Sequence, residues 1–211
     1  MAASTVLTRH RRSATTFWLP LVALPFLCAT ETARAQVTAA VGAASLGSTV
    51  NGVLGGRCTA GLCVVAGGTG AGSNQFHRLA DFNTKGAILG VRFDNHGFRN
   101  VIVGVTSPYG AYIDKMVRLA EPGNLLFLAP GGIRMAGAAG FVQVDQLALS
   151  TATTLGFGTR RFGVFDTTAA QAKLLSAAPQ VGSVGLEVDA VARRAAGISG
   201  VPGIEADGIS I

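Results

Sequence analysis

Charge is scarce in this chain: only 13% of its 211 residues are Asp, Glu, Lys or Arg, and just one tryptophan, two tyrosines and three cysteines occur. No Lys/Arg block is interleaved with aromatics, so nothing suggests a nucleic-acid surface. No apolar run reaches the roughly 20 residues needed to span a bilayer as a helix. Cys58 and Cys63 have no second pair of close ligands, because His77 and His96 arrive singly, which argues against a structural zinc site. Asp81, Asp94, Asp114 and Asp145 are scattered one per segment beside turns, and such carboxylates are most simply turn or solvent-facing residues. A polysaccharide hydrolase or lyase would need them clustered.

What the chain has in abundance is glycine, 29 residues of it, within a composition that is 49% hydrophobic. Glycine weakens helix interiors and serves tight turns, so this mixture leans towards an all-β chain with an ample core. The first 35 residues stand apart. Arg9-His10-Arg11-Arg12 is a basic region, residues 17–27 are apolar, and Ala33-Arg34-Ala35 is a small-x-small cleavage site before Gln36. Residues 1–35 therefore read as a secretory signal peptide. Arg11-Arg12 lacks the hydrophobic residues that follow a twin-arginine motif, and Leu27 is too large to precede a lipidated Cys28, so ordinary Sec export is expected. Without the four arginines and Glu31 of this leader, 13 basic and 10 acidic side chains remain, and the net charge falls from +6 to +3. Export to an oxidising compartment predicts a local Cys58–Cys63 disulfide.

Residues 36–73 read as short strands and turns. From residue 74 onward, apolar segments of about five to ten residues follow one another, each bounded by Gly, Pro, Asn or Asp. Phe141, Gln143, Asp145 and Leu147 alternate with Val142, Val144 and Gln146 as a strand would. Residues 169–178 turn helical or loop-like, and residues 186–196 are ambiguous. The final β-branched pieces, spaced by Gly or Asp, fit the coils of a parallel β-helix, and Ile209-Ser210-Ile211 reads as a strand that stops in mid-repeat. Gly68, Gly70 and Gly72 imitate a dinucleotide-binding turn. The fingerprint wants its third glycine at residue 73, which is serine, and no helix follows, so no cofactor is expected.

The ordered company of motifs from Gly67 to Phe157 resembles the N-terminal haemagglutination-activity domain of filamentous-haemagglutinin-like exoproteins, the secretion domain of two-partner systems. Gly67-Gly68-Thr69 leads to Asn74-Gln75-Phe76-His77 and Phe82. Phe93-Asp94-Asn95 follows, and Asn100-Val101-Ile102-Val103-Gly104-Val105-Thr106 has glycine where the family has arginine. The strongest match is Asn124-Leu125-Leu126-Phe127-Leu128-Ala129-Pro130-Gly131-Gly132-Ile133, with Ala129 and Gly131 in place of two family asparagines. Ser150-Thr151-Ala152 and Leu155-Gly156-Phe157 complete the series.

The resemblance implies an all-β fold: a right-handed parallel β-helix with N-terminal capping strands and small extra-helical β elements. Its expected layout is a lead-in over 36–66, a secretion core over 67–168, and further coils over 169–211, truncated before a passenger. Asn74, Phe76, His77, Phe82, Asn124, Leu125, Pro130, Gly132 and Ile133 are then fold-determining or transporter-recognition positions. Pro130-Gly131-Gly132 becomes a corner between two sheets. The implied partners are the Sec machinery and an outer-membrane barrel transporter with POTRA domains, with no cofactor, metal or nucleic acid. A monomer, secreted or at the cell surface via a Gram-negative periplasm, is expected. A short secreted β-helix enzyme acting on polysaccharide is the alternative.

Overall fold

The computed structural model describes residues 35–182, 185–200 and 202–207. The expected leader up to residue 34 and the strand-like ending Ile209-Ser210-Ile211 lie outside them. The chain is a parallel β-helix of about three turns. Its coils have three faces. The first stacks Gly61–Gly67, Ile88–Phe93, the start of Met116–Leu128 and the start of Gly140–Ser150. The second stacks residues 74–79, Asn100–Val105, and the later halves of the same two long strands. The third stacks residues 82–83, Ala111–Ile113, Ile133–Ala136 and Ile204–Asp207.

Alternation along each strand sends one set of side chains inward, and the parallel register places these in columns. Val65, Phe93 and Leu119 stack on the first face, and Val101 and Leu125 on the second. Together with Phe82, Phe127 and Ile133 they form a fully buried interior. Phe82 lies against Phe93 in a stacked arrangement and meets Phe127 edge-on at 5.0 Å. Burying one such ring stabilises the fold by roughly 2–3 kcal/mol. The alternation across residues 141–147 does not belong to one flat strand. Gln143 takes φ 59° at a corner, so the pattern inverts there, and Phe141, Val144 and Leu149 are the side chains that pack inward.

The exposed edge of the first coil is covered on all three faces by antiparallel strands. Ser48–Val50 pairs with Gly61–Gly67, Thr69–Ala71 with residues 74–76, and Gln36–Ala39 with residues 79–83. This cap satisfies backbone groups that would otherwise offer a template for another chain. Cys58 and Cys63 are bonded, joining the cap strand Arg57–Cys58 to the first coil. The coils begin at Gly61 rather than at residue 67, since Gly61–Gly67 already carries the first face.

The described residues between 169 and 200 do not continue the coils. Thr154–Phe157, Arg160–Gly163, Pro179–Gln180 and Leu186–Glu187 form a separate antiparallel sheet, and Ala169–Ala172 and Ala190–Ala195 are short helices. Leu155, Phe157, Phe162, Val164 and Leu175 bury against Phe76, Ile102, Leu126 and Leu128 on the outside of the second face. An apolar outer face of that size needs cover, and this segment supplies it instead of another turn of helix. Among the described residues after 169, Ile204–Asp207 alone returns to the stack, pairing with Ile133–Ala136.

Pro130-Gly131-Gly132 is a corner between the second and third faces, closed by the Gly132 N–H donating to Ala129 O at 2.9 Å. Beneath it residues 107–110 form the same turn, with Gly110 N–H donating to Ser107 O at 3.0 Å. The two corners touch backbone to backbone: a Cβ on Gly131 would lie 2.4 Å from Gly110 N and 2.6 Å from Ser107 O. That contact explains the glycine at 131 where the resemblance would place asparagine. Gly131→Ala is expected to cost about 3 kcal/mol in chemical denaturation, because backbone cannot yield. Gly137→Ala, at φ 61° with open space around it, should cost only about 1 kcal/mol; equal costs would refute the stacking argument.

Candidate functional site

The residues that the sequence points to gather at the second face near its start and at the corner after Leu128, apart from Phe82, which lies on the third face. Asn74 and Asn124 are members of one ladder completed by Asn100. The Asn100 Nδ2 donates to Asn74 Oδ1 at 2.7 Å and the Asn124 Nδ2 to Asn100 Oδ1 at 2.8 Å. The Asn74 Nδ2 in turn donates to the carbonyls of Leu175 and Ala177 at 2.7 and 2.8 Å. The ladder therefore locks three coils in register and ties them to the outer layer. The next residue in register is Gln146, which is exposed, and the buried Asn124 Oδ1 has no hydrogen-bond partner.

Phe76 points outward and meets Phe157 and Phe162, each with ring centroids at 5.3 Å. Phe82, Leu125 and Ile133 point inward. Pro130 is buried and Gly132 adopts φ 109°, a conformation suited to glycine. His77 is fully buried beside the cap. Its Nδ1 sits 3.2 Å from Ser48 Oγ, its ring lies 5.7 Å from that of Phe93, and its Nε2 has no partner. Burial pulls the imidazole down from 6.5 to about 4. These nine positions are almost all buried, and none presents a large surface to a partner of the folded chain.

Arg78, which the sequence did not single out, is 1% exposed. Its guanidinium donates to the carbonyls of Ala44, Gly163 and Thr167 at 2.9, 2.9 and 2.8 Å, joining cap, coil and outer sheet. Burial lowers its pKa to about 10, opposed by the charge of Asp166. It stands in register with Gly104, where an added Cβ would lie 3.4 Å from Phe162 and 3.3 Å from Val164. The glycine at 104 thus makes room for the outer layer. The signal in the sequence was an arginine in the middle of a strand whose flanks, Phe76 and Leu79, are apolar.

The four carboxylates do not converge. Asp81 accepts from Gln36 at 2.9 Å, Asp114 from Thr84 at 2.9 Å, and Asp145 pairs with Arg99 at 3.2 Å. Asp94 and Glu121 flank the exposed His96, each at 2.9 Å, and the imidazole is raised, first by its hydrogen bond to Glu121 and then by Asp94. No group of three or more His, Cys, Asp and Glu suited to a metal ion occurs among the described residues. Gly68 to Gly72 lies in a hairpin, Thr69–Ala71 against residues 74–76, with Gly68 packed on His77. No family model, curated protein or solved structure matches this chain.

Asn100→Ala strands one donor and one acceptor of the ladder and should cost about 3 kcal/mol in denaturant unfolding. Gln146→Ala, beyond the ladder's end, should stay within about 0.5 kcal/mol of the parent. For His77 the unfolded chain binds the proton more readily. Its effect on stability is absent above pH 6.5, grows as pH falls towards 4, and levels off below that. Unfolding followed from pH 7.5 to 4 should show a loss of about 3 kcal/mol that His77→Gln flattens. His96, raised by its carboxylates, acts in the opposite sense and is weakened by salt. A pH profile unchanged in His77→Gln would sink this assignment.

Proposed function

We propose that this chain is the secretion and targeting module of a haemagglutinin- or adhesin-like exoprotein, recognised by an outer-membrane barrel transporter with POTRA domains. The observation that carries the reading is the placement of the motif residues. Asn74, Phe76, His77, Phe82, Asn124, Leu125, Pro130 and Ile133 are interior, ladder or corner positions of a capped β-helix. Residues hidden in the fold are accessible only before folding, which suits a transporter that reads an extended chain crossing the periplasm after Sec export. Such a chain would offer strand-forming segments for β-augmentation by the transporter.

Folding then follows release. The antiparallel cap closes one end of the stack, so growth of the helix has one direction, and each coil presents a register to the next. In this reading the module acts as a monomer, outside the cell or on its surface, and needs no cofactor and no nucleic acid.

The test is secretion. Co-expression with a two-partner transporter should place the chain in the culture medium, while expression without it should leave the chain in the periplasm. A Pro130 and Gly132 double replacement should abolish release, and Gln146→Ala should not. Periplasmic accumulation regardless of the transporter would overturn the proposal.

A further inference from the structure

Outside the ladder and the corner, the outer sheet holds a cleft of about 350 Å³ whose lining is apolar in the larger part, Leu175 included, and carries the polar side chains of Thr154, Arg160, Arg161, Asp166, Thr167 and Gln171. Its walls are the hairpin Thr154–Phe157 and Arg160–Gly163, the loop that follows, and the helix Ala169–Ala172. The loop is strapped from below by Arg78, which holds the carbonyls of Gly163 and Thr167. A buried cation therefore lies under the floor, and two more guanidinium groups stand at the rim. Against these three charges are set Asp166 and Glu187, the latter paired with Arg161.

The hydrogen-bonding capacity left over in this cleft is mostly of one kind. The Arg160 side chain makes no ion pair or hydrogen bond among the described residues. The Thr154 Oγ1 is buried and unpartnered. Gln171 uses its Oε1 to accept from Thr168 N at 2.8 Å and Thr168 Oγ1 at 3.1 Å, which leaves its amide N–H groups available. The Thr167 Oγ1 accepts from Gly163 N at 2.6 Å, so its own proton is available too. Donors thus surround the cleft, and Asp166 is the one carboxylate acceptor in its lining.

We propose that this cleft binds an acidic sugar, a single hydroxylated ring bearing one carboxylate. The planar fork of Arg160 matches a carboxylate and is the strongest polar contact the cleft offers. Thr167 and Gln171 donate to ring and hydroxyl oxygens. Asp166 accepts from a sugar hydroxyl, and its charge repels phosphate, which carries more than one negative charge, more strongly than it repels a single carboxylate. The volume is at the small end of ligand sites, roughly 300–1,000 Å³, which suits one ring rather than a chain. The proposal stands independently of the secretion reading.

Titration of the ¹⁵N-labelled, purified chain with sodium galacturonate and sodium glucuronate tests it. Saturable amide shifts at Gly163, Thr167 and Gln171 are expected, with glucose and inorganic phosphate much weaker. Arg160→Ala, an exposed side chain whose loss leaves the fold intact, should weaken uronate binding about tenfold, the effect of losing one charge-assisted hydrogen bond. The absence of saturable shifts up to about 50 mM, where weak contacts are still measurable, would overturn the proposal. So would equal binding of glucose, equal binding of phosphate, or indifference to Arg160→Ala with the remaining spectrum unchanged.

Discussion

Parallel stacking of one coil on the next governs this molecule, because each strand's backbone groups find their partners in the coils above and below it. A coil that slipped by one residue would turn its interior to solvent and its surface to the core. Register must therefore be held at several points. The asparagine ladder holds it at the entrance to the second face, through hydrogen bonds that need the same residue at the same place in three successive coils. The glycine corners hold it at the exit, through contacts too close for any side chain.

The outer face of the second sheet depends on that register in turn. Phe76, Ile102 and Leu126 form an apolar column only because their strands are aligned, and the column gathers the antiparallel sheet that covers it. Arg78 and Asn74 then fasten the two layers through carbonyls more than 80 residues distant in sequence. Both use buried polar groups whose partners are almost complete, which favours one arrangement over sliding alternatives. The cleft is a by-product of the same fastening, since Arg78 shapes the loop that forms its floor.

The residues with the clearest motif character are hidden by the fold they specify. A recognition event built on them precedes folding, whereas the cleft of the outer sheet exists only after it. The secretion and sugar-binding proposals thus concern different states of one chain, and neither draws on the surface used by the other.

The residue pattern alone determined the all-β class, a turn at Pro130-Gly131-Gly132 and the Cys58–Cys63 pairing, because turn chemistry, strand spacing and a short loop between cysteines are local properties. The coil repeat was harder to see, since its length shrinks from 28 residues between Val65 and Phe93 to 26 between Phe93 and Leu119 and 24 between Val117 and Phe141. A drifting period hides the fact that Asn74, Asn100 and Asn124 share a column. The fate of residues 154–187 was decided by tertiary structure: their short apolar strands suit a further coil or a covering sheet equally well. The uncovered apolar face beside Phe76 and Ile102 selected the sheet. Arg78 likewise acquires its role from carbonyls that only the assembled layers bring within reach, and no local pattern encodes such a meeting.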